Sequence, residues 1–226
     1  MDGDGVFHLA AEGAGMAISL RLNSSKPPAF HGANGISKKA SAPGHASHYY
    51  SLTRLASDGE VRIGDKLFQV SGQSWFDHEW ATNALAPGQV GWDWLSLQLD
   101  DGSELMLYQM RLENGTADPT SSGTLVAADG VTTHLPSTAF RMTPVAHWKS
   151  KLTNAQYPIE WRVELPEKGI RLNVRAVLEN QELALKPLIY WEGAMDVTGT
   201  RDGKPIKGAG YLELTGYAGP LRELQR

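Results

Sequence analysis

Gly91–Arg111 reads GWDWLSLQLDDGSELMLYQMR, and this stretch decides the fold. Trp92, Trp94, Ser96 and Gln98 alternate with Leu95, Leu97 and Leu99. Further on, Met106, Tyr108 and Met110 alternate with Leu105 and Leu107. A period of two is the signature of a β-strand, whose successive side chains point to opposite faces. Asp101-Gly102 lies between the two runs. An Asp-Gly step supplies the positive φ that a tight hairpin turn requires. The stretch therefore predicts an antiparallel hairpin with both faces substantially apolar.

The same signals recur on either side. In the run to Tyr217, Leu212 and Leu214 oppose Tyr211, Glu213, Thr215 and Tyr217; in Leu188–Val197, Tyr190 and Glu192 oppose Trp191, Met195 and Val197. Asp58-Gly59, Asn114-Gly115, Asp129-Gly130 and Asp202-Gly203 read as further hairpin turns. Val6–Leu22 reads as two short strands around Glu12-Gly13-Ala14-Gly15, and Ser24–Gly44 as a linker or irregular loop. Strands are expected at His48–Ala56, Glu60–Ile63 and Lys66–Trp80, the last too long for one flat strand and broken or bulged at Gly72. A last helical turn is expected at Leu221–Gln225. Many strands joined by tight turns imply an all-β antiparallel barrel or sandwich. Two apolar faces favour a barrel with a lined interior. The pattern leaves open which face is the interior.

The 226 residues suffice for one large domain, and the formal net charge of −4 with no basic stripe argues against nucleic acid as a partner. No apolar run approaches the roughly 18–20 residues of a membrane-spanning helix. The start, MDGDGVFHL, lacks the charged and apolar regions of a signal peptide. Cysteine is absent, which removes disulfide and thiolate chemistry.

Gly72–Trp94 carries the chemistry. It holds four of the seven tryptophans, Trp75, Trp80, Trp92 and Trp94, interleaved with Asp77, His78, Glu79 and Asp93. A carboxyl group walled by indoles keeps its proton to higher pH, which makes a general acid. Asp77 is the candidate donor, with His78 and Tyr49 or Tyr50 tuning it; Glu79 shares the strand face of Trp75 and Asp77. The competing reading pairs Asp77 and Glu79 with Arg54 or Arg111 in a buried network that fixes the barrel. Tyr49, Trp75, Trp80, Trp92, Trp94, Tyr108, Trp191 and Tyr211 are candidate pocket aromatics; ordinary barrel packing is the competing reading for Tyr49, and a plain core for Trp92 and Trp94. Glu192 and Glu213 lie beside Tyr or Trp and serve either as a second acid–base group or as partners of arginines. Asp93 reads as a structural hydrogen-bond acceptor. Metal sites lack support: His45-x-x-His48 sits in a loop, and His78-Glu79 lacks helical spacing. Ser74 is outside a nucleophile-elbow motif.

Five segments in order resemble the carotenoid 1,2-hydratase (hydroxyneurosporene synthase) group and its AttH-type, lipocalin-like relatives known as predicted secreted hydrolases. They are SHYYSLTRL (Ser47–Leu55), VSGQSWFDHEW (Val70–Trp80), Gly91–Arg111, YWEGAMDVTG (Tyr190–Gly199) and GAGYLELTGY (Gly208–Tyr217). The resemblance covers most of the chain from Ser47 onward. It implies two lipocalin-like β-barrel halves, of which this chain holds largely the C-terminal one. On that reading, residues 1–22 are residual strands of the N-terminal half, 23–46 a linker, and 47–226 the C-terminal barrel. The chain is then a fragment of a family that is periplasmic or secreted, and the missing half or a second copy is the candidate protein partner. The implied reaction is cofactor-independent acid–base chemistry, hydration of a double bond above all, on a hydrophobic isoprenoid- or lipid-like substrate. The alternatives are a barrel that binds a hydrophobic ligand unchanged, or a pericyclic cyclase.

Overall fold

The computed structural model describes residues 5–81, 83, 85–185, 188–219 and 221. Sixteen strands are found among them: β1 (Val6–Gly13), β2 (Met16–Ser24), β3 (Ala29–Phe30), β4 (Ile36–Lys38), β5 (Ala46–Ile63), β6 (Lys66–Trp80), β7 (Gln89–Leu99), β8 (Glu104–Leu112), β9 (Ser122–Val126), β10 (Thr132–Pro136), β11 (Arg141–Lys149), β12 (Gln156–Leu165), β13 (Ile170–Ala176), β14 (Glu182–Leu185), β15 (Leu188–Arg201) and β16 (Lys204–Thr215). The chain is all-β and antiparallel, as the alternation predicts. Among the described residues no helix is long and apolar enough to cross a membrane. Beyond Leu221, the helical turn expected at Leu221–Gln225 lies outside the described residues.

Two units divide the chain. The first comprises residues 1–29 and 50–78. There β1 pairs with β2 and β2 with β5, and β6 also pairs with β5. Ala14 at φ 49° and Gly15 at φ 76° make the two-residue β1–β2 turn. Two successive positive φ values match the twist of the flanking strands, so the expected turn forms. Asp58-Gly59 behaves differently from the turn predicted for it. Asp58 and Gly59 pair with Arg21 and Leu20 in the middle of β5. Glycine is needed because a Cβ at position 59 would lie 2.1 Å from the Ser19 carbonyl oxygen. The chain reverses instead at Gly64-Asp65, and β6 runs on through Gly72 without a break. Leu22, Leu52 and Leu55, with Phe7, Leu20 and Phe76, form this unit's small core.

The second unit comprises residues 30–49 and 79–226. Its antiparallel sheet runs β10-β9-β8-β7-β16-β15-β13-β12-β11, with β14 also on β15. Asp202 (φ 50°) and Gly203 (φ 77°) close the β15–β16 hairpin. Leu135 of β10 and Met142 of β11, at opposite ends of the sheet order, belong to one buried cluster. The sheet therefore curls until its ends share a core, the half-closed form of a lipocalin-like barrel. Leu95, Leu97, Leu107, Trp161, Val163, Trp191, Leu212 and Leu214 fill the concave side. Each such side chain contributes about 1.5–3 kcal/mol on burial. The interior is thus the face that carries these core residues. Trp92, Trp94, Tyr108, Glu192, Tyr211 and Glu213 alternate with those core residues and occupy the opposite face.

Candidate functional site

In the first unit, β5 and β6 bring side chains together in two groups, one on each strand face. Ser51, fully buried, donates its hydroxyl to Asp77 Oδ1, and Trp75 Nε1 donates to the same oxygen at 2.9 Å. Asp77 is exposed, where the sequence reading placed it behind indoles; Trp75 offers its N–H rather than a covering face. One carboxylate oxygen is consequently fixed in direction by two donors. The Tyr50 hydroxyl and His78 Nδ1 lie 3.1 Å apart, their rings edge-on at 5.3 Å. Phe76 lies 6.3 Å from the His78 ring and 5.5 Å from Phe7. Two of the four sequence candidates here, Asp77 and Trp75, thus share one strand face with Ser51, while Tyr50 and His78 pair on the opposite face with Phe76.

In the second unit, Glu79 Oε1 accepts from Ser47 Oγ at 2.5 Å and from Lys39 Nζ at 2.7 Å. Lys39 is enclosed: its ammonium sits 4.0 Å from the Tyr108 ring centroid and 5.2 Å from that of Tyr49. Aromatic faces attract cations through their quadrupoles. Trp94 Nε1 donates to the Tyr49 hydroxyl at 3.0 Å. The Tyr108 hydroxyl donates to the Lys38 carbonyl at 2.7 Å and accepts from Ser122 at 2.9 Å. The His31 ring lies tilted 4.2 Å from that of Tyr49, and His31 shares a 2.8 Å hydrogen bond with Thr124. Burial, then Lys39 and His134, push the His31 imidazole down to about 3, so it is neutral at pH 7. His48 and Trp80 stack at 5.1 Å.

The remaining candidates fall into two settings. Glu192 faces Glu213 across β15–β16, and Glu213 faces Trp94 across β16–β7. Trp92 Nε1 donates to Glu213 at 2.6 Å, and the Tyr211 hydroxyl to Glu192 at 3.2 Å. Burial and Glu192 push the Tyr211 phenol up to about 12, so it keeps its proton at neutral pH. Trp191 stands apart. It is wholly buried in the core, with its N–H on the Glu179 carbonyl at 2.8 Å. Asp93 is an internal acceptor, as its sequence context suggests, held by Arg111, by Tyr217 at 2.9 Å and by Gln109 at 3.4 Å. Among the described residues no group of three or more His, Cys, Asp or Glu is arranged to hold a metal.

Sequence reasoning passed over Ser47, Ser51 and Lys39. The serines carried a usable signal, since positions 47, 49 and 51 alternate onto one strand face. Lys39 carried none, because its loop reads as solvated Lys, Ser, Pro and Gly.

The AttH-like family matches residues 1–217. The chain belongs to that family. The match begins at residue 1 and takes in the first 46 residues, so it is wider than the resemblance from Ser47 onward and does not mark the chain as a C-terminal half. This AttH-like chain is similar to NE1406 of Nitrosomonas europaea, a candidate AttH protein. The identity is 36% with a TM-score of 0.87, over 96% of this chain and 66% of that one. It is 23% identical over 211 residues to the dehydratase asqC of Emericella nidulans, covering 88% of this chain and 58% of asqC. Kievitone hydratase of Nectria haematococca shares the fold, with a TM-score of 0.77 at 16% identity, over 96% of this chain and 69% of that one. The chain thus spans roughly three-fifths to two-thirds of the length of the first two relatives.

Proposed function

We propose that this chain carries out a cofactor-independent addition or removal of water on a hydrophobic, isoprenoid- or lipid-like molecule, with Asp77 as the proton donor. The observation that carries the reading is the anchoring of Asp77 Oδ1 by Ser51 and Trp75, which fixes the direction of one carboxyl group. A relative bearing the name dehydratase supports the reaction class.

In the hydration direction, the Asp77 proton adds to one carbon of a double bond and leaves a carbocation on the other. The oxygen of water bonds to that carbon and then gives up a proton. Dehydration is the reverse. An apolar substrate seated against the exposed carboxyl displaces water from it, and a carboxyl group in apolar surroundings holds its proton. The π-face of Trp75 stabilises a desolvated cation by about 2 kcal/mol.

The test incubates purified protein with a detergent-dispersed acyclic carotenoid, lycopene, in H₂¹⁸O. Mass spectrometry then looks for a tertiary alcohol carrying ¹⁸O. Labelled alcohol above the level of heat-denatured protein supports the reading. Lycopene bound but unchanged over long incubation favours a carrier, and a cyclised product without ¹⁸O favours a cyclase.

A further inference from the structure

The outer face of the second unit's sheet carries chemistry that the addition of water does not use. On β12 the buried Trp161, Val163 and Leu165 alternate with Glu160, Arg162 and Glu164. On β13 the buried Leu172 and Val174 alternate with the exposed Arg171, Asn173 and Arg175. The second set on each strand therefore points away from the core. Register fixes their neighbours. Glu164 is flanked by Arg141 of β11 and Arg171 of β13, at 3.9 Å and 4.0 Å. Both arginines are largely exposed, and ion pairs of that length in water are weak. Arg162 lies in the next cross-strand row, between Thr143 and Asn173, with Thr198 beyond. None of those neighbours is a carboxylate.

Arg162, Arg171, Asn173, Thr200 and Glu164 line a surface hollow of about 390 Å³. Sites for small molecules run from roughly 300 to 1,000 Å³. Among the described residues, the side chains of Arg162, Asn173 and Thr200 make no hydrogen bond or ion pair with the protein. A lone solvated arginine on a surface is ordinary. Here two guanidiniums, an amide and a hydroxyl share one hollow, against a single carboxylate in its lining. The sign of the charge also runs against the rest of the chain. Four arginines and two glutamates occupy this face of β11, β12 and β13, on a chain whose formal net charge is −4.

We propose that this hollow binds a phosphate monoester of a small polyol. Arg162 and Arg171 hold the phosphate oxygens, and Asn173 and Thr200 donate beside them. A guanidinium presents its N–H groups in a fork that matches phosphate bidentately. A phosphate monoester carries about −1.5 to −2 charges at pH 7, which answers two guanidiniums where one carboxylate answers one. Glu164 is then free to accept a hydroxyl of the organic part, which is why the ligand is an ester of a polyol rather than bare phosphate. The site lies within the second unit and stands apart from the reaction assigned to Asp77.

Isothermal titration calorimetry of the full chain with glycerol 3-phosphate, at physiological salt, tests it. One molecule should bind per chain, with Kd about 1 mM or tighter. Arg162→Met and Arg171→Met should each weaken binding about tenfold or more, as the loss of a charge-assisted pair does. Arg175→Met lies on the same face but outside the lining, and should stay within about twofold of wild type because salt screens it. Melting curves confirm that the variants fold, and all three side chains are exposed. Binding should weaken from pH 8 to pH 5, because a phosphate monoester takes up a proton near pH 6. Absence of saturable binding to the wild type overturns the proposal. Equal losses in all three arginine variants also overturn it, since a diffuse positive surface would explain them. Retention on phosphatidylcholine vesicles containing phosphatidic acid, without binding of free glycerol 3-phosphate, overturns it in favour of a membrane surface.

Discussion

Arg111→Met is the perturbation whose size is most directly legible in the structure. Arg111 Nη1 donates to Asp93 Oδ1 and Nη2 to the Thr215 carbonyl, while the guanidinium lies 3.8 Å over the Tyr217 ring. Asp93 has no solvent exposure, and Arg111 retains 13%. Methionine preserves the apolar stem and removes the charge. Leaving one member of a buried ion pair unpaired costs about 3–5 kcal/mol. The lost guanidinium–ring contact and the orphaned carbonyl each add about 1 kcal/mol, much of it already counted in that figure. A loss of about 4 kcal/mol is expected at neutral to mildly alkaline pH.

The loss also depends on pH with a definite sign. Burial pushes the Asp93 carboxyl up, and Arg111, Tyr217 and Gln109 each pull it back down. Removing Arg111 leaves burial less opposed, so the folded variant holds the Asp93 proton to higher pH than the unfolded chain does. A folded value above the unfolded one means that stability falls as pH rises from the unfolded value through the folded one. The deficit against wild type should therefore be smaller at pH 5 than at pH 8. Urea unfolding followed by tryptophan fluorescence at the two pH values measures it. A deficit below about 1 kcal/mol at pH 8 would refute the buried-pair reasoning, because surface pairs lie in that range. So would a deficit that shrinks as pH rises.

Two further outcomes follow from local geometry. Gly59→Ala drives a Cβ to 2.1 Å from the Ser19 carbonyl and 3.0 Å from Leu20 Cα at a φ of +151°. It should cost about 2–3 kcal/mol in urea unfolding, whereas an alanine at a true surface turn would cost less. Glu182→Gln tests the clamp formed by Ser150, Thr153 at 2.6 Å and Tyr157 at 2.8 Å. Burial pushes the Glu182 carboxyl up, but those three hydroxyls outweigh it and hold it below the ordinary 4.5. A folded value below the unfolded one gives stability that is present above pH 4.5 and lost as pH falls through the folded value. The glutamine variant should accordingly show a shallower fall in melting temperature on acidification than wild type.

Period-two alternation identified which residues share a face in Trp92–Leu99, Glu104–Arg111 and Leu188–Val197, and every one of those partitions holds in the sheet. It could not say which face is inside. That is decided by the curl of the whole sheet, which gathers side chains from Leu95 to Leu214 into one core, a span that no local window contains. Glycine was the ambiguous sign. Gly59 looked like a turn residue and is a close-approach residue, because a Gly in a strand and a Gly in a hairpin leave the same local trace. Asp77, Trp75 and His78 on β6 and Tyr50 on β5 could be named from density of chemistry and from the family resemblance. Their hydrogen bonds could not, since Ser51 is 26 positions from Asp77. Lys39 was beyond reach for the same reason, more acutely: a lysine in a Ser/Pro/Gly loop reads as solvated until Tyr108 is brought over it.

The most direct measurement of the central claim compares wild type with Asp77→Asn for ¹⁸O incorporation into lycopene, alongside lycopene affinity from quenching of tryptophan fluorescence. Asparagine keeps the size of the side chain and can still accept from Ser51 and Trp75, but it has no proton to give. The account predicts a loss of about 100-fold or more in turnover, the range of a positioned general acid, with affinity changed by no more than about threefold. Wild-type turnover in a folded Asp77→Asn protein would contradict it.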